Sequence, residues 1–192
     1  MTDIDQLVRE ACTQENVDAR RVFQMREEFL VLCRFLDSFK PVNILEIGCL
    51  GHTFNIFCQL STGKKIGVDI VDHSANVTQT PSIFICGDST VVYEDVKRIC
   101  SSFDFIFIDG AHDLAGVTND FNLYKTMLSP RGFIAFHDMD PDHAFYDVEV
   151  KQFWAELNEG RKLSIVSQRS PGHPLFLGHE LHYGGIGLWW PE

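Results

Sequence analysis

The stretch around Gly48 constrains the fold of this chain more than any other part of its sequence. A short apolar run at 44–47 predicts a buried strand, and the turn that follows it contains Gly48 and Gly51. The next segment, 53–62, has the pattern of a helix, with Gly63 expected just after its end. A strand, a glycine turn and a helix in this order build a nucleotide site at the carboxyl end of the first strand of an α/β sheet.

The acidic residue in this stretch indicates which kind of cofactor would bind there. A dinucleotide-binding motif has glycine where Glu46 stands, because the backbone must turn tightly and approach a pyrophosphate. A carboxylate at that position repels a pyrophosphate but tolerates a zwitterionic or cationic cofactor. The pattern Glu-x-Gly-x-x-Gly therefore favours such a cofactor, with an ordinary strand-to-helix turn as the alternative.

Composition is typical of a folded domain of ordinary size. Of 192 residues, 45% are hydrophobic and 22% are charged, and the net charge of −11 does not attract nucleic acid. The sequence contains no apolar stretch long enough to span a bilayer and no signal-peptide pattern. Six cysteines without a Cys-x-x-Cys pair predict reduced core residues. We therefore expect a cytoplasmic protein with neither nucleic acid nor a membrane among its partners.

Apolar strand patterns alternate with helical stripes along the chain, which predicts a parallel sheet with helices on both faces. We expect a single domain over 1–192. Residues 1–40 form a helical cover in this prediction, with a lid over the substrate as the alternative, and residues 41–192 form the core. The polar segment 72–80 has no helical stripe, so the second crossover is expected to lack a regular helix. The predicted strands lie at 44–47, 65–70, 82–86, 103–108, 133–136, 163–166 and 186–190.

A carboxylate stands at or just after the end of each of the first five predicted strands. These residues are Glu46, Asp69, Asp88, Asp109 and Asp138. Any one of them could be a solvated turn residue or a helix cap. Because the carboxyl ends of parallel strands meet at one edge of a sheet, we expect the five to share one site.

From about residue 42 to residue 138, these motifs resemble the class I S-adenosylmethionine-dependent methyltransferases. The resemblance implies a Rossmann-like sheet of seven strands, mostly parallel and with the last strand antiparallel, to which N-terminal helices are added. It implies that Asp69 binds the ribose of S-adenosylmethionine and that Asp88 meets the adenine, since carboxylates accept hydrogen bonds. The segment 128–133 is similar to the turn before the fifth strand of these enzymes. The other residues expected at the cofactor are Glu46, Gly48, Cys49, Gly51, Ile70, Ser89 and Asp109.

Two further motifs, at 107–112 and 136–138, resemble the metal-dependent small-molecule O-methyltransferases, in particular the macrocin and mycinamicin sugar O-methyltransferase and cephalosporin hydroxylase-like group. The resemblance implies a divalent metal, Mg²⁺ or Mn²⁺, and a catalytic role for Asp109 and His112, with His112 as the base. The implied metal ligands are Asp109, His137 and Asp138. An oxygen ligand is usual where His137 stands, and nitrogen suits Mn²⁺ better than Mg²⁺. His137 could instead hydrogen-bond to a ligand, and His112 could be a surface histidine.

Three functional classes remain open. We expect a metal-assisted O-methyltransferase that acts on a small hydroxylated acceptor, such as a sugar or a vicinal diol. The alternatives are a metal-independent methyltransferase with another acceptor and a non-catalytic protein that uses the cofactor fold to bind a partner. The acidic charge and the absence of an Asn/Asp-Pro-Pro-Tyr motif weigh against much of the second class.

The remaining features concern the edges of the predicted site. The segment 167–185 is rich in Gly, Pro and His, and we expect a polar loop that rims the site and could select the acceptor. Its histidines lack the spacing of a zinc-binding helix. Trp189 and Trp190 could pack against a second copy of the chain in a homo-oligomer. The histidines without that spacing are His173, His179 and His182 of this segment, together with His143, which precedes it.

Overall fold

The computed structural model describes residues 3–12, 24–140, 147–167 and 184–192. Within these ranges seven strands form a single sheet. The strands are β1 (Ile44–Ile47), β2 (Lys65–Asp69), β3 (Ile83–Cys86), β4 (Phe103–Ile108), β5 (Leu128–Phe136), β6 (Arg161–Ile165) and β7 (Ile186–Trp190). The helices are α1 (Ile4–Ala11), α2 (Arg26–Phe39), α3 (His52–Gln59), α4 (Tyr93–Ile99), α5 (Leu114–Tyr124) and α6 (Val150–Glu156).

The strand order in the sheet is β3-β2-β1-β4-β5-β7-β6. The first five strands pair in parallel, and β7 is antiparallel to both of its neighbours, β5 and β6. The predicted sheet of seven strands with an antiparallel last strand is therefore confirmed. The order reverses between β1 and β4, and that is the place where open α/β sheets bind their ligands.

Each face of the sheet has its own apolar core. On one face, α4, α5 and α6 contribute side chains such as Val96, Phe121 and Trp154. On the other face, α1, α2 and α3 contribute side chains such as Phe29 and Phe57. Strand β4 is buried along its whole length, as expected for a central parallel strand. The N-terminal helices α1 and α2 thus cover one face of the sheet.

Two local predictions about helices have different outcomes. Helix α3 ends at Gln59 rather than at residue 62, so Gly63 is not its cap. Instead, the Gly63 amide donates to the Val42 carbonyl, because the chain turns there toward β2. The crossover between β2 and β3 contains a single short 3₁₀ turn, Ser74–Asn76, so a regular helix is absent from that fully described segment, as predicted.

The expected turn before the fifth strand is instead part of that strand. Strand β5 begins at Leu128, and residues 129–132 form an irregularity opposite Asp104 of β4. Asp104 holds this irregularity, since its Oδ1 accepts a hydrogen bond from Ser129 Oγ at 2.7 Å and lies 3.6 Å from Arg131 Nε. These contacts are long-range, so the turn-like composition of the segment did not reveal them.

The two C-terminal tryptophans pack within the chain. Trp189 is 4% exposed and contacts the Phe121 ring edge-on, while Trp190 stacks on Phe133. The homo-oligomer suggested by this pair therefore has no support from the tryptophans. Among the described residues, no helix is both long enough and apolar enough to cross a membrane.

Candidate active site

A cavity of about 560 Å³ opens at the carboxyl ends of the parallel strands. Four of the five strand-end carboxylates line it, namely Asp69, Asp88, Asp109 and Asp138. The cavity therefore carries a high density of negative charge in a concave, partly enclosed space. Such a site suits a ligand with positive charge, or one that brings a cation with it.

Gly48 lies where the two central strands approach most closely. Its φ is +83°, and a Cβ added there would lie 2.0 Å from the carbonyl oxygen of Asp109. The Asp109 amide donates to the Ile47 carbonyl at 2.8 Å, which ties the end of β4 to the end of β1. Only glycine allows this approach, so Gly48 helps to place Asp109 at the cavity.

Glu46 lies beneath the cavity and does not line it. Its side chain is 1% exposed, and Oε1 accepts a hydrogen bond from Thr53 Oγ1 on the first turn of α3. Burial raises the pKa of Glu46 well above its ordinary value. Glu46 therefore binds the first turn of α3 from beneath the cavity, and its predicted place at or next to the cofactor stays a prediction.

Two other predicted cofactor residues also lie outside the cavity wall. The Cys49 side chain is fully buried against Gly67 of β2, since a Cβ at Gly67 would lie 2.5 Å from its Sγ, and it does not line the cavity. Gly51 begins α3 and contacts Asn76. The sequence indicated the glycine turn correctly but did not show which of its side chains face the ligand.

The next two strands supply Asp69 and Asp88, as predicted. Asp69 ends β2, and its Oδ1 accepts from the Val71 amide at 2.8 Å. Ile70 follows it at the rim and is 72% exposed. Asp88 accepts from the Thr90 amide and hydroxyl, and these hydrogen bonds lower its pKa. Both carboxylates line the cavity beside the glycine turn.

Ser89 lines the cavity too, and two side chains of α5 hold it. Its hydroxyl donates to Asp120 Oδ1 at 2.5 Å, and its carbonyl accepts from the Tyr124 hydroxyl at 2.7 Å. Burial raises the pKa of Asp120 to about 6. Asp120 was not predicted, although its spacing from Val117 and Tyr124 places it on the buried face of α5.

Asp109, His137 and Asp138 come together at the ends of β4 and β5. Each offers a ligand atom, and these atoms lie within 4.8 Å of one another. His137 Nδ1 is 3.3 Å from Asp109 Oδ1 and 3.3 Å from Asp138 Oδ1. Asp138 has a φ of +59°, a strained conformation for a residue with a side chain. The three residues occupy one pocket corner, as predicted from their positions after adjacent strands.

The electrostatics of this cluster fit a bound cation. His137 is buried, which by itself would lower its pKa, but the Asp109 and Asp138 carboxylates outweigh burial and raise the pKa well above its ordinary value. The site therefore favours positive charge between the two carboxylates, and a divalent ion would replace the imidazole proton. Two carboxylate oxygens and one imidazole nitrogen suit Mn²⁺, Fe²⁺ or Zn²⁺ better than Mg²⁺.

His112 stands beside this cluster and is half exposed to the cavity. Its Nε2 lies 3.4 Å from Asp138 Oδ2 and 3.9 Å from Asp109 Oδ1. The side-chain interaction with Asp109 and the charge of Asp138 raise the pKa of His112, against the effect of burial. Its carbonyl accepts from the Glu149 amide at 2.7 Å, which fixes the backbone. The imidazole can therefore take a proton from a group bound next to the cluster.

Gln24 also lines the cavity and was not predicted. Its Nε2 donates to Asp109 Oδ2 at 2.6 Å, and the residue is 3% exposed. A glutamine just before a helical stripe gives no sequence signal for such a contact, because the two residues are 85 positions apart. The segment preceding α2 thus reaches the site as well as covering the sheet.

Several predictions lie outside the described residues. They concern the histidine-rich loop over residues 168–183, with His173, His179 and His182, and His143 in the segment 141–146. The residues on either side of the loop, among them Ser167 and Gly185, are described, and both of these bind one side chain. Glu28 of α2 is buried, and it accepts from the amides of Ser167 and Gly185 at 2.8 Å each.

Residues 45–139 match a family described as a methyltransferase domain. This part of the chain belongs to the class I S-adenosylmethionine-dependent methyltransferases. The family predicted from the strand-end motifs is thus confirmed for residues 45–139. A curated relative, uncharacterized protein y4gI of Sinorhizobium fredii (strain NBRC 101917 / NGR234), is 38% identical over 97 residues. These residues are 50% of this chain, which spans about a tenth of the length of that relative.

Three solved methyltransferases have a similar fold. The O-methyltransferase TomG of Streptomyces achromogenes, in complex with SAM, has a TM-score of 0.64 and 14% identity, over 100% of this chain and 91% of that chain. The O-methyltransferase of Bacillus cereus, in complex with SAH, has a TM-score of 0.65 and 15% identity, and the match covers 98% of this chain and 91% of that chain. MycE of the mycinamycin pathway, in complex with Mg and SAH, has a TM-score of 0.57 and 23% identity, and the match covers 72% of this chain and 40% of that chain. At these identities the likeness concerns the fold.

Proposed function

We propose that this methyltransferase transfers a methyl group from S-adenosylmethionine to a hydroxyl of a small acceptor, such as a sugar or a vicinal diol, with a divalent ion at the site. The observation that carries the proposal is the convergence of Asp109, His137 and Asp138 in the cavity that Asp69 and Asp88 also line. The cofactor side and the ion side are thus two parts of one cavity.

The cofactor side supplies binding and orientation. S-adenosylmethionine provides a methyl group on a positively charged sulfur, and the acidic wall of the cavity complements that charge. Asp69 can accept two hydrogen bonds from neighbouring ribose hydroxyls, and Asp88 can accept from the adenine amine. Gly48 lines the same cavity and has no side chain that would collide with the backbone of Asp109. The role of these residues is to hold the donor in line with the acceptor oxygen.

The ion side prepares the acceptor. A bound divalent ion lowers the pKa of a coordinated hydroxyl and orients its oxygen. Asp109, His137 and Asp138 would hold that ion, with Mn²⁺ favoured over Mg²⁺ by the nitrogen of His137. His112 Nε2, beside both carboxylates, would take the proton of the acceptor hydroxyl. In this proposal Asp109 and Asp138 also stabilise the imidazolium that results.

The size of the cavity favours a small acceptor. Its 560 Å³ lies within the range of sites for single drug-sized ligands, and the cofactor would share this volume with the acceptor. The net charge of −11 weighs against a nucleic acid acceptor. The structure of MycE, which has a similar fold, contains Mg, SAH and Mycinamycin VI, and this agrees with a small hydroxylated acceptor.

The test is methyl transfer from labelled S-adenosylmethionine to a panel of sugars and vicinal diols, before and after chelation and with Mg²⁺ or Mn²⁺ restored. We expect chelation to abolish transfer and Mn²⁺ to restore it. Asp138→Asn should abolish ion-stimulated transfer, and His112→Ala should lower turnover by roughly 10²–10⁴-fold, the usual effect of losing a positioned base. Binding of S-adenosylhomocysteine should persist in both variants.

Asp95→Asn serves as the matched control, since Asp95 is an exposed residue of α4 that pairs with Arg98 and does not line the cavity. It should retain full activity. Transfer that is unaffected by chelation, together with full activity of Asp138→Asn, would refute ion assistance. In that case a metal-independent methyltransferase would be the better assignment.

A further inference from the structure

We propose that Gln24 is a positioning residue of the ion site, which holds the Asp109 carboxylate so that one of its oxygens faces the ion. This inference rests on the proposed function, because it assumes that Asp109, His137 and Asp138 hold a divalent ion. It assigns the segment before α2 a part in the active site itself.

The two oxygens of Asp109 have different neighbours. Oδ2 accepts the Gln24 Nε2 hydrogen bond at 2.6 Å. Oδ1 lies 3.3 Å from His137 Nδ1 and 3.9 Å from His112 Nε2. A carboxylate can rotate about its terminal bond and can bind an ion with one oxygen or with both. The amide of Gln24 occupies Oδ2 and thereby directs Oδ1 toward the other ligands.

The orientation of the Gln24 amide follows from chemistry. A carboxylate only accepts hydrogen bonds, so the nitrogen of the amide must face Asp109. The amide oxygen, Oε1, then points elsewhere, and among the described residues it is buried without a hydrogen-bond partner. The contact with Asp109 therefore sets the orientation of the Gln24 amide, as a positioning role requires.

Gln24 and the residue that follows it are buried. Its neighbour Met25 is 2% exposed, and Phe29 of the first turn of α2 is completely buried in the core. Gln24 itself is 3% exposed and forms part of the cavity wall. Helix α2 packs into the core of one sheet face, and this packing places Gln24 next to Asp109 at the end of β4. Hydrogen bonds of this kind to ligating carboxylates tune metal affinity in other proteins.

The inference is tested by Mn²⁺ binding to the full chain, measured from the electron paramagnetic resonance signal of free Mn²⁺. The wild type is compared with Gln24→Met and Gln24→Leu, which remove the donor at similar volume. We expect Mn²⁺ affinity to fall by roughly 10–100-fold, as for the loss of other partners of metal ligands. S-adenosylhomocysteine affinity, measured by calorimetry, should stay within about threefold, since Gln24 touches the ion side.

Gln152→Met is the matched control, because Gln152 Nε2 donates to the Glu156 carboxylate at 2.9 Å on an exposed face of α6. It should bind Mn²⁺ like the wild type. Wild-type Mn²⁺ affinity in either folded Gln24 variant would overturn the inference and leave the proposed ion site intact. A parallel loss of Mn²⁺ affinity, cofactor affinity and thermal stability would also overturn it, in favour of a structural role. A wild type that binds no Mn²⁺ would refute the ion site, and the inference with it.

Discussion

Replacing Asp120 by asparagine should stabilise this protein near neutral pH. Asp120 is 2% exposed on α5, and its Oδ1 accepts the hydroxyl hydrogen bond of Ser89. Burial raises its pKa from the ordinary 3.8 to about 6, and the nearby charges of Asp88 and Asp113 add to the rise. At neutral pH the protein therefore keeps an ionised carboxylate where a neutral group would be more stable.

The size of the effect follows from that pKa. A change from 3.8 to about 6 corresponds to about 3 kcal/mol between the two protonation states. Between pH 4 and pH 6 the folded protein holds a proton that the unfolded chain has released, so the free energy of unfolding falls as pH rises through this window. Above about pH 6 the ionised Asp120 lowers the free energy of unfolding by the full amount, and below about pH 4 this loss disappears.

Asparagine removes the charge and keeps an oxygen that can accept from Ser89. Its new amide group needs a partner, so we expect a net gain of about 1–3 kcal/mol in the free energy of unfolding at pH 7.5. The gain should shrink steadily on acidification and vanish near pH 4. Urea denaturation at several pH values between 4 and 7.5 measures it directly.

Asp95→Asn is the control, since Asp95 is an exposed residue of α4 whose charge is not among those that raise the pKa of Asp120. That variant should differ from the wild type by less than about 0.5 kcal/mol. If Asp120→Asn were less stable than the wild type at pH 7.5, or if the difference did not depend on pH, the reasoning from burial would be wrong. Asp120 itself lines the cavity, where it accepts the hydrogen bond of Ser89.

Two further predictions concern stability. Glu28→Ala should lower the free energy of unfolding by roughly 3–5 kcal/mol in urea denaturation, because the amides of Ser167 and Gly185 would lose a buried charged acceptor. Gly48→Ala should cost roughly 3 kcal/mol or more, since its φ is positive and the new methyl group would collide with the Asp109 carbonyl. Thermal unfolding should show this loss.

Each of these variants has a neighbouring control. Glu27→Ala changes an exposed residue on the same turn of α2 and should leave stability nearly unchanged. At Gly110 a Cβ would meet its nearest neighbour, Ile47 Cγ2, at 3.4 Å, so Gly110→Ala should be tolerated far better than Gly48→Ala. Equal stability of Glu28→Ala and Glu27→Ala would contradict the first prediction, and equal losses for the two glycines would contradict the second.

The strand-end carboxylates were predictable because they depend on local pattern. Short apolar runs mark where buried strands end, and residues just past the ends of parallel strands gather at one edge of the sheet. On that basis five carboxylates were expected in one site, and four of them, Asp69, Asp88, Asp109 and Asp138, line the cavity. The family followed from the same positions.

The sequence was less informative about which way side chains point. Glu46 and Cys49 belong to the predicted motif, yet both lie buried away from the cavity wall. Within β1 this is decided by alternation, which sends successive side chains to opposite faces of the sheet. In the turn that follows, it is decided by the positive φ values of Gly48 and Gly51. A motif identifies the turn, whereas only packing shows which of its groups a ligand can reach.

The contacts of Gln24 and Asp120 depend on the tertiary structure. Gln24 meets Asp109 across 85 positions, because α2 packs on one face of the sheet and brings its preceding residue to the cavity. Asp120 meets Ser89 across 31 positions, because α5 packs on the other face. Helical periodicity in the sequence predicts that these helices have a buried side. It does not determine where along the sheet each helix lies, since that depends on side chains from distant segments filling one shared core.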